Sequence, residues 1–299
     1  MLYRIGYVGL GNMGRPIFTN LANFAAANGL PAPCAWNIDQ SSYREIQSDL
    51  KEVHLAGEVE EVIKRSNVVF TCLLNDEVAE KVYQKLYAAV GSEKVIFIDQ
   101  SSLRPKTSTR LEKAAHTVGA SYLAAPVFGR PNAAKAATLV QILGGEPEVK
   151  ELVKPILVPA IATRTVDAGD EVAKGNSLIL GIVEMLAETY AVADTIDFDA
   201  KVYQSFIRDF LPVYPYIAYG HNISTGSFKG AGGFRLEAGL KDARNILSLG
   251  EDFGKRVSMP TIELAKKHLE RAEELCGEDI DWSALAVALR EQAGLAPFR

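Results

Sequence analysis

Three glycines at fixed spacing, in Gly9-Leu10-Gly11-Asn12-Met13-Gly14, constrain the fold of this chain more than any other stretch. An apolar run, Ile5-Gly6-Tyr7-Val8, stands before them, and apolar residues recur at helical spacing after them, at Ile17, Leu21 and Phe24. Strand, tight turn and helix start in that order form the first unit of a dinucleotide-binding fold. Gly9 permits the turn, Gly11 lets the backbone approach a pyrophosphate, and Gly14 lets helix and strand pack closely. The pyrophosphate then rests on free N–H groups at the positive end of the helix. These six residues are the first cofactor-binding candidates. The same spacing occurs in ordinary glycine-rich turns; the strand and helix signals on either side make it informative.

Further strands follow in a βα rhythm. Cys34-Ala-Trp-Asn-Ile38 is the second. In the NAD form of the motif a carboxylate closes this strand and bonds the ribose 2′-OH. Here Asn37 holds that place, with Asp39 two residues on and Ser41, Ser42 and Arg44 beyond. An amide does not repel a 2′-phosphate, so the expected cofactor is NADP(H) rather than NAD(H). The plainer alternatives are a turn residue for Asn37 and a helix cap for Asp39. Val68-Val-Phe-Thr-Cys-Leu-Leu74 is a continuous apolar run, as in a strand buried on both faces. It ends in Asn75-Asp76 at the carboxyl edge, where nucleotides bind in such sheets. That makes Leu73, Leu74 and Asn75 cofactor candidates, while Asp76 reads as a helix cap. Val95 to Asp99 is the next strand, followed by Gln100, Ser101 and Ser102, whose hydroxyls either face a nicotinamide or cap the next helix. A last strand covers Thr138 to Gly145. Strands alternating with helices call for a parallel, doubly wound sheet.

At 299 residues the length suggests two domains. A net charge of −5 gives no sign of electrostatic binding to nucleic acid or to an anionic membrane surface. Cys34, Cys72 and Cys276 are scattered and odd in number, which points to a reducing compartment. No signal peptide and no bilayer-spanning run is read at the start or elsewhere, so the expected location is cytoplasmic. The four histidines show no ligand or triad spacing, and no metal site is expected.

Taken together, Gly9 to Gly14, Cys72-Leu-Leu-Asn-Asp76, Asp99-Gln-Ser-Ser102 with Pro105, Ala125-Pro-Val127 with Gly129, and Leu240-Lys-Asp242 resemble the β-hydroxyacid dehydrogenase family. This family includes 3-hydroxyisobutyrate dehydrogenase and is related to 6-phosphogluconate dehydrogenase. The five segments stand in family order across nearly the full chain. The resemblance implies an α/β Rossmann-type doubly wound domain over 1–165, an all-helical domain over 166–299 for substrate and dimerisation, a long helix joining them, and an active site in the cleft between. It implies hydride transfer between a nicotinamide cofactor and a β-hydroxyacid or related carbonyl compound, and a homodimer. Ser101 is then a substrate contact, Ser102 a cofactor contact, and Lys241 lies by the nicotinamide, held by Asp242. The family's substrate loop reads Asp-Ala-Pro-Val-Ser-Gly-Gly, where this chain has Ala124-Ala-Pro-Val-Phe-Gly-Arg130. Phe128 replaces the serine that binds the substrate carboxylate, and Arg130 replaces a glycine. Gly129 keeps its place. Phe128, Gly129 and Arg130 are therefore candidate substrate contacts of altered specificity: Arg130 either attracts an acid or is a solvated surface residue.

A long helical pattern opens at Ala168-Gly-Asp-Glu171 and is apolar nearly all round from Gly175 to Glu188. The family sets its proton-handling lysine near this start, with an asparagine four residues later. Lys174 is the nearby lysine, but counting back from Asn176 puts Val172 at the lysine's place. The two are about 200° apart on a regular helix and cannot substitute for one another. Lys174 is the catalytic candidate and Asn176 a substrate contact. The alternatives are an imine reductase, since such enzymes resemble this family without its lysine, or a non-catalytic nucleotide-binding or scaffold protein. The aromatic stretch Phe206 to Tyr216 is core, a cleft wall or a dimer contact, and the glycines from Gly226 to Gly233 form a connector.

Overall fold

The computed structural model describes residues 3–50, 52–174, 180–229, 233–277 and 279–298, without the side chain of Lys174. The chain divides into two compact units, Met1–Asn176 and Ser177–Arg299.

The first unit alternates strand and helix: β1 (Ile5–Val8), α1 (Gly14–Ala27), β2 (Cys34–Trp36), α2 (Tyr43–Asp49), β3 (His54–Leu55), α3 (Glu60–Arg65), β4 (Val68–Thr71), α4 (Asp76–Ala88), β5 (Ile96–Asp99), α5 (Pro105–Thr117) and β6 (Ser121–Ala124). The six strands are all parallel, in the order β3-β2-β1-β4-β5-β6. Strand residues alternate between two buried layers, as pleating requires. Tyr7, Phe70, Ile98 and Leu123 pack against α1. Val8, Val69, Phe97 and Tyr122 face the other way, against α3, α4 and α5. This is the expected doubly wound sheet, and the continuous apolar runs are continuous because both faces are covered.

Three more strands form a second sheet: β7 (Val127–Phe128), β8 (Leu139–Leu143) and β9 (Ala162–Asp167), with α6 (Pro131–Lys135) and α7 (Pro147–Ala160) between them. β7 runs antiparallel to β8, and β9 runs parallel to it. A single bridge, Ala124 to Gly144, joins the sheets.

The second unit is helical: α8 (Leu180–Thr195), α9 (Ala200–Phe210), α10 (Tyr214–Thr225), α11 (Leu236–Asp252), α12 (Pro260–Cys276) and α13 (Ala286–Gln292), with a 3-10 turn at Trp282–Leu285. Gly226 ends α10 in the left-handed conformation at φ 66°, where glycine carries no Cβ penalty. Buried side chains of α8, α10, α11, α12 and α13 form one core.

One expectation needs correction. The helical pattern read from Ala168 begins instead as a 3-10 turn, Val172–Lys174, and the described regular helix starts at Leu180. Within its unit, α8 buries Val183, Leu186 and Tyr190 and leaves Met185 and Val192 exposed.

Candidate cofactor site

The glycine turn separates two kinds of glycine. Gly9 has φ +99°, and a Cβ there would lie 2.3 Å from the Cys72 carbonyl oxygen. A Cβ on Gly14 would lie 1.8 Å from the Gly9 carbonyl oxygen. Both are glycine because the protein itself leaves no room. A Cβ on Gly11 would meet no atom of the described residues within 4 Å. Packing within the chain does not require glycine there, and the exposed backbone leaves room for a close approach from outside. At the start of α1 Met13 stands at the N-cap without a side-chain cap, as at most helices here, and the N–H groups of the turn are those a pyrophosphate would use. By contrast, Asn75 caps α4 with its Oδ1, which accepts the Val78 N–H. The turn fits a dinucleotide pyrophosphate.

Asn37 braces the turn. Its Oδ1 accepts the Leu10 N–H (2.9 Å), its amide donates to the Asp39 carbonyl (2.7 Å), and its own N–H donates to the Tyr43 hydroxyl (2.8 Å). The Leu10 side chain is buried, while Asn12 is exposed. Asp39 accepts the Ser41 N–H, which holds its carboxyl below the usual carboxylate range. It shapes the turn ahead of α2, whose N-cap is Ser42. Arg44 is exposed on the first turn of that helix.

The ends of β4 and β5 are tied to each other. The β4 ladder stops at Thr71, and the Leu73 N–H turns to donate to Ser101 Oγ (2.8 Å). Asp76 accepts the Arg104 N–H (2.9 Å). The helix cap thus falls to Asn75, and Asp76 joins the two loops. Beneath them lies Asp99, fully buried, accepting from the Ser101 N–H (2.9 Å), the Thr71 hydroxyl (3.1 Å) and the Tyr122 hydroxyl (2.7 Å). Burial pushes its carboxyl up, against the pull of these donors and of the Ser101 side chain. Ser101 is therefore engaged on both sides, by Leu73 and by Asp99. Leu74 is exposed, and Ser102 is half-buried and has a partner of its own.

The loop from Ala124 starts at the same edge, where the Ala125 N–H donates to the Asp99 carbonyl (2.7 Å). Val127 packs on the core, so Phe128, next along β7, points to the opposite face. Gly129 has φ +144°, and a Cβ there would come within 2.6 Å of Leu139. Arg130 is half-buried ahead of Pro131 and is engaged with a neighbour.

Val172 is 2% exposed and belongs to the core layer of Leu111, Tyr122 and Ala124. The segment before it is pinned by Lys150, a buried ammonium that donates to Asp167 Oδ1 (2.6 Å) and to the Gly169 carbonyl (3.2 Å). Lys174 ends the 3-10 turn; its side chain, and the whole of Asn176, lie outside the described residues. In the second unit, α11 carries Lys241, its Nζ 3.6 Å from Asp242 Oδ1. Burial raises the Asp242 carboxyl, and the Lys241 charge opposes that rise. Asp99 and Lys150 were assigned no role from the sequence. The available signals were a carboxylate closing an otherwise apolar strand, and a lysine on the buried side of an amphipathic helix.

Among the described residues, no cluster of three or more His, Cys, Asp or Glu is placed to hold a metal ion, and no helix is long and apolar enough to cross a membrane.

The family model for the NAD binding domain of 6-phosphogluconate dehydrogenase matches residues 4–169, more than half of the chain. The chain belongs to that family. As a member of the 6-phosphogluconate dehydrogenase NAD-binding family it is an NAD(P)-dependent oxidoreductase, with relatives and structural neighbours of the 3-hydroxyisobutyrate dehydrogenase kind. An uncharacterized oxidoreductase of Bacillus subtilis, YfjR, is 29% identical, over 96% of this chain and 100% of its own. A 3-hydroxyisobutyrate dehydrogenase of Mycobacterium tuberculosis, solved with L-serine, shares the fold at a TM-score of 0.80 and 23% identity, over 97% of this chain and 100% of that one. An imine reductase from Pseudomonas sp. shares it at a TM-score of 0.62 and 14% identity, over 97% and 100%.

Proposed function

We propose that this member of the family transfers hydride between NADP(H), taken in preference to NAD(H), and a carbonyl or hydroxyl carbon of a small molecule related to the β-hydroxyacids. The observation that carries the reading is the glycine turn, where Gly9 and Gly14 are closed by the protein and Gly11 is open. Hydride chemistry belongs to the nicotinamide when it is bound. The chain's part is to hold the pyrophosphate on the N–H groups of the turn, to support the nicotinamide end on the Leu73–Asn75 and Ser101–Ser102 loops, and to manage the substrate's proton. For the last task the candidate is Lys174, whose ammonium would hold a developing alkoxide and exchange its proton. Lys241, with Asp242 beside it, would lie by the nicotinamide, and Asn176 would contact the substrate.

The NADP(H) preference rests on Asn37, an amide where a carboxylate would repel a 2′-phosphate, with Ser41, Ser42 and Arg44 following. Asp39, on the same turn and held in its charged form by Ser41, works against a phosphate. Asp39→Asn therefore strengthens NADP(H) over NAD(H), and equal wild-type affinity for the two cofactors would remove the preference. Phe128 in place of a hydroxyl favours a substrate larger or less acidic than 3-hydroxyisobutyrate, with Arg130 nearby to attract an acid. Val172, buried where the resemblance would put the lysine, supports a second reading, reduction of an imine, since imine reductases resemble this family without that lysine. The homodimer reading is supported by apolar side chains left exposed on the helical unit, among them Val192, Phe206 and Phe210.

Steady-state assays of wild type and Lys174→Ala over hydroxyacids, aldehydes and imines, with cofactor titrations alongside, test the proposal. Turnover of a hydroxyacid or aldehyde that falls by about a hundredfold or more in Lys174→Ala supports the lysine's role. Turnover of imines alone supports the second reading. Tight cofactor binding with no turnover of any substrate sinks both.

A further inference from the structure

Asp99 is a buried charge whose shell consists of donors. The Ser101 N–H, the Thr71 hydroxyl and the Tyr122 hydroxyl all donate to it. Two of these are supplied from behind. The Tyr83 hydroxyl lies 2.8 Å from Thr71 Oγ1, and Ser108 hydrogen-bonds the Tyr122 hydroxyl. A neutral carboxylic acid needs an acceptor for its own proton. Here the Ser101 N–H can only donate and the two hydroxyls are oriented to donate, so the shell favours the carboxylate, against the burial that pushes it up. The named partners are all neutral. They spread the charge without cancelling it, and in a low-dielectric interior its field reaches further than in water.

The position of that charge is specific. Asp99 pairs with Thr71 across the β4–β5 ladder, at the carboxyl edge of the sheet, and Ser101 links it to the Leu73 N–H of the neighbouring loop. It lies beneath the two loops assigned above to the nicotinamide end. The oxidised nicotinamide ring carries a positive charge; the reduced ring carries none. We infer that Asp99 is an electrostatic element of the cofactor site, stabilising the oxidised cofactor relative to the reduced one and so lowering the potential of the bound couple. The inference rests on the proposed seat of the nicotinamide over the β4 and β5 loops. It assigns Asp99 a positioning and tuning role, with no contact to the reacting atoms.

The test is the ratio of two dissociation constants. Wild type and Asp99→Asn are titrated at pH 8 with oxidised and with reduced cofactor, by calorimetry or fluorescence. Asp99→Asn is expected to raise the oxidised-to-reduced Kd ratio about tenfold, the order of effect of one unit charge at an effective dielectric near 20. A tenfold ratio corresponds to about 30 mV in the two-electron couple. A scaffold role alone would weaken both forms together. An unchanged ratio with both affinities reduced therefore overturns the inference while leaving the cofactor seat intact. If neither affinity nor ratio moves, the inference falls along with the nicotinamide's assignment to these loops. If Asp99→Asn does not fold, Thr71→Val and Tyr122→Phe carry the test. Each removes one donor that favours the carboxylate, so each is expected to raise the ratio as Asp99→Asn does, by less; a wild-type ratio in both overturns the inference.

Discussion

The glycine turn makes opposite predictions for two residues of one motif. Gly11→Ala and Gly14→Ala each add a single methyl group. At Gly14 the new carbon would sit 1.8 Å from the Gly9 carbonyl oxygen and 3.1 Å from the Tyr7 ring. Relief would require β1 and α1 to separate by more than an ångström along a seam in which Tyr7, Ile17 and Phe18 are buried. A cost of about 3 kcal/mol or more is expected, at the upper end for overpacked cores, or roughly 5–10 °C in melting temperature. At Gly11 the methyl meets nothing in the described protein within 4 Å. Stability should hold, or rise by about 0.5 kcal/mol through the less flexible unfolded chain.

Cofactor binding should show the reverse sensitivity for Gly11→Ala. The methyl occupies the space over which the pyrophosphate must pass. Losing one charge-assisted hydrogen bond, worth about 1.5–3 kcal/mol, weakens binding by about tenfold to a hundredfold. Thermal unfolding monitored by circular dichroism gives the first quantity and cofactor titration the second. A Gly11→Ala protein that binds like wild type would show that the pyrophosphate does not cross this turn. A Gly14→Ala protein as stable as wild type would show that the close packing of strand and helix is not what requires glycine there.

Four further outcomes follow from other parts of the structure. The Lys150–Asp167 bond at 2.6 Å holds the Asp167 carboxyl low, so its contribution is present above the ordinary carboxylate range and is lost as pH falls through the lowered value. Denaturant melts of wild type and Lys150→Met should therefore differ most near neutral pH and converge on acidification. Phe128→Ser restores a hydroxyl to the substrate loop, and KM for small β-hydroxyacids should fall by about tenfold; a fall for apolar substrates instead would refute the assignment. Phe206 and Phe210, stacked 5.3 Å apart and 52% and 69% exposed, should lie at the subunit contact, so Phe206→Glu should lower the sedimentation-derived mass to that of a monomer. Val172→Lys should not create a proton donor. It would bury an ammonium in an apolar layer at a cost of several kcal/mol, visible as loss of folded protein rather than gain of turnover.

Much of the first unit was legible because one physical signal dominated each element. Val68 to Phe70 and Ile96 to Ile98 are apolar without alternation because helices cover both faces, and the strands were read accordingly. The signal failed where backbone bonding departs from pattern. The apolar run to Leu74 outlasts its strand, which ends at Thr71 because the Leu73 N–H bonds Ser101 instead. β9, Ala-Thr-Arg-Thr-Val-Asp, went unread because it lies at a sheet edge with mostly exposed side chains. The apolar circumference of α8 is real in composition, and within the helical unit Met185 and Val192 stay uncovered. Composition cannot distinguish burial within a chain from burial between chains.

The Val172–Lys174 segment was the hardest to read, for a geometrical reason. A regular helix has 3.6 residues per turn, but the segment is a 3-10 turn, with about 3. Over two residues the phase differs by about 40°, enough to move a side chain between a core and an open face. The usable clue lay elsewhere, in Gly144-Gly145 at the end of β8. A Cβ on Gly144 would lie 2.9 Å from the Glu171 carbonyl, and one on Gly145 would lie 3.3 Å from Val172 Cγ1. The paired glycines make room for residues 171 and 172 to close against the sheet, and Lys150 holds the loop just before them. Val172 is thus fixed as a core residue by neighbours distant in sequence. The choice between the two candidate positions therefore depends on packing around β8, which a count along the helix could not detect.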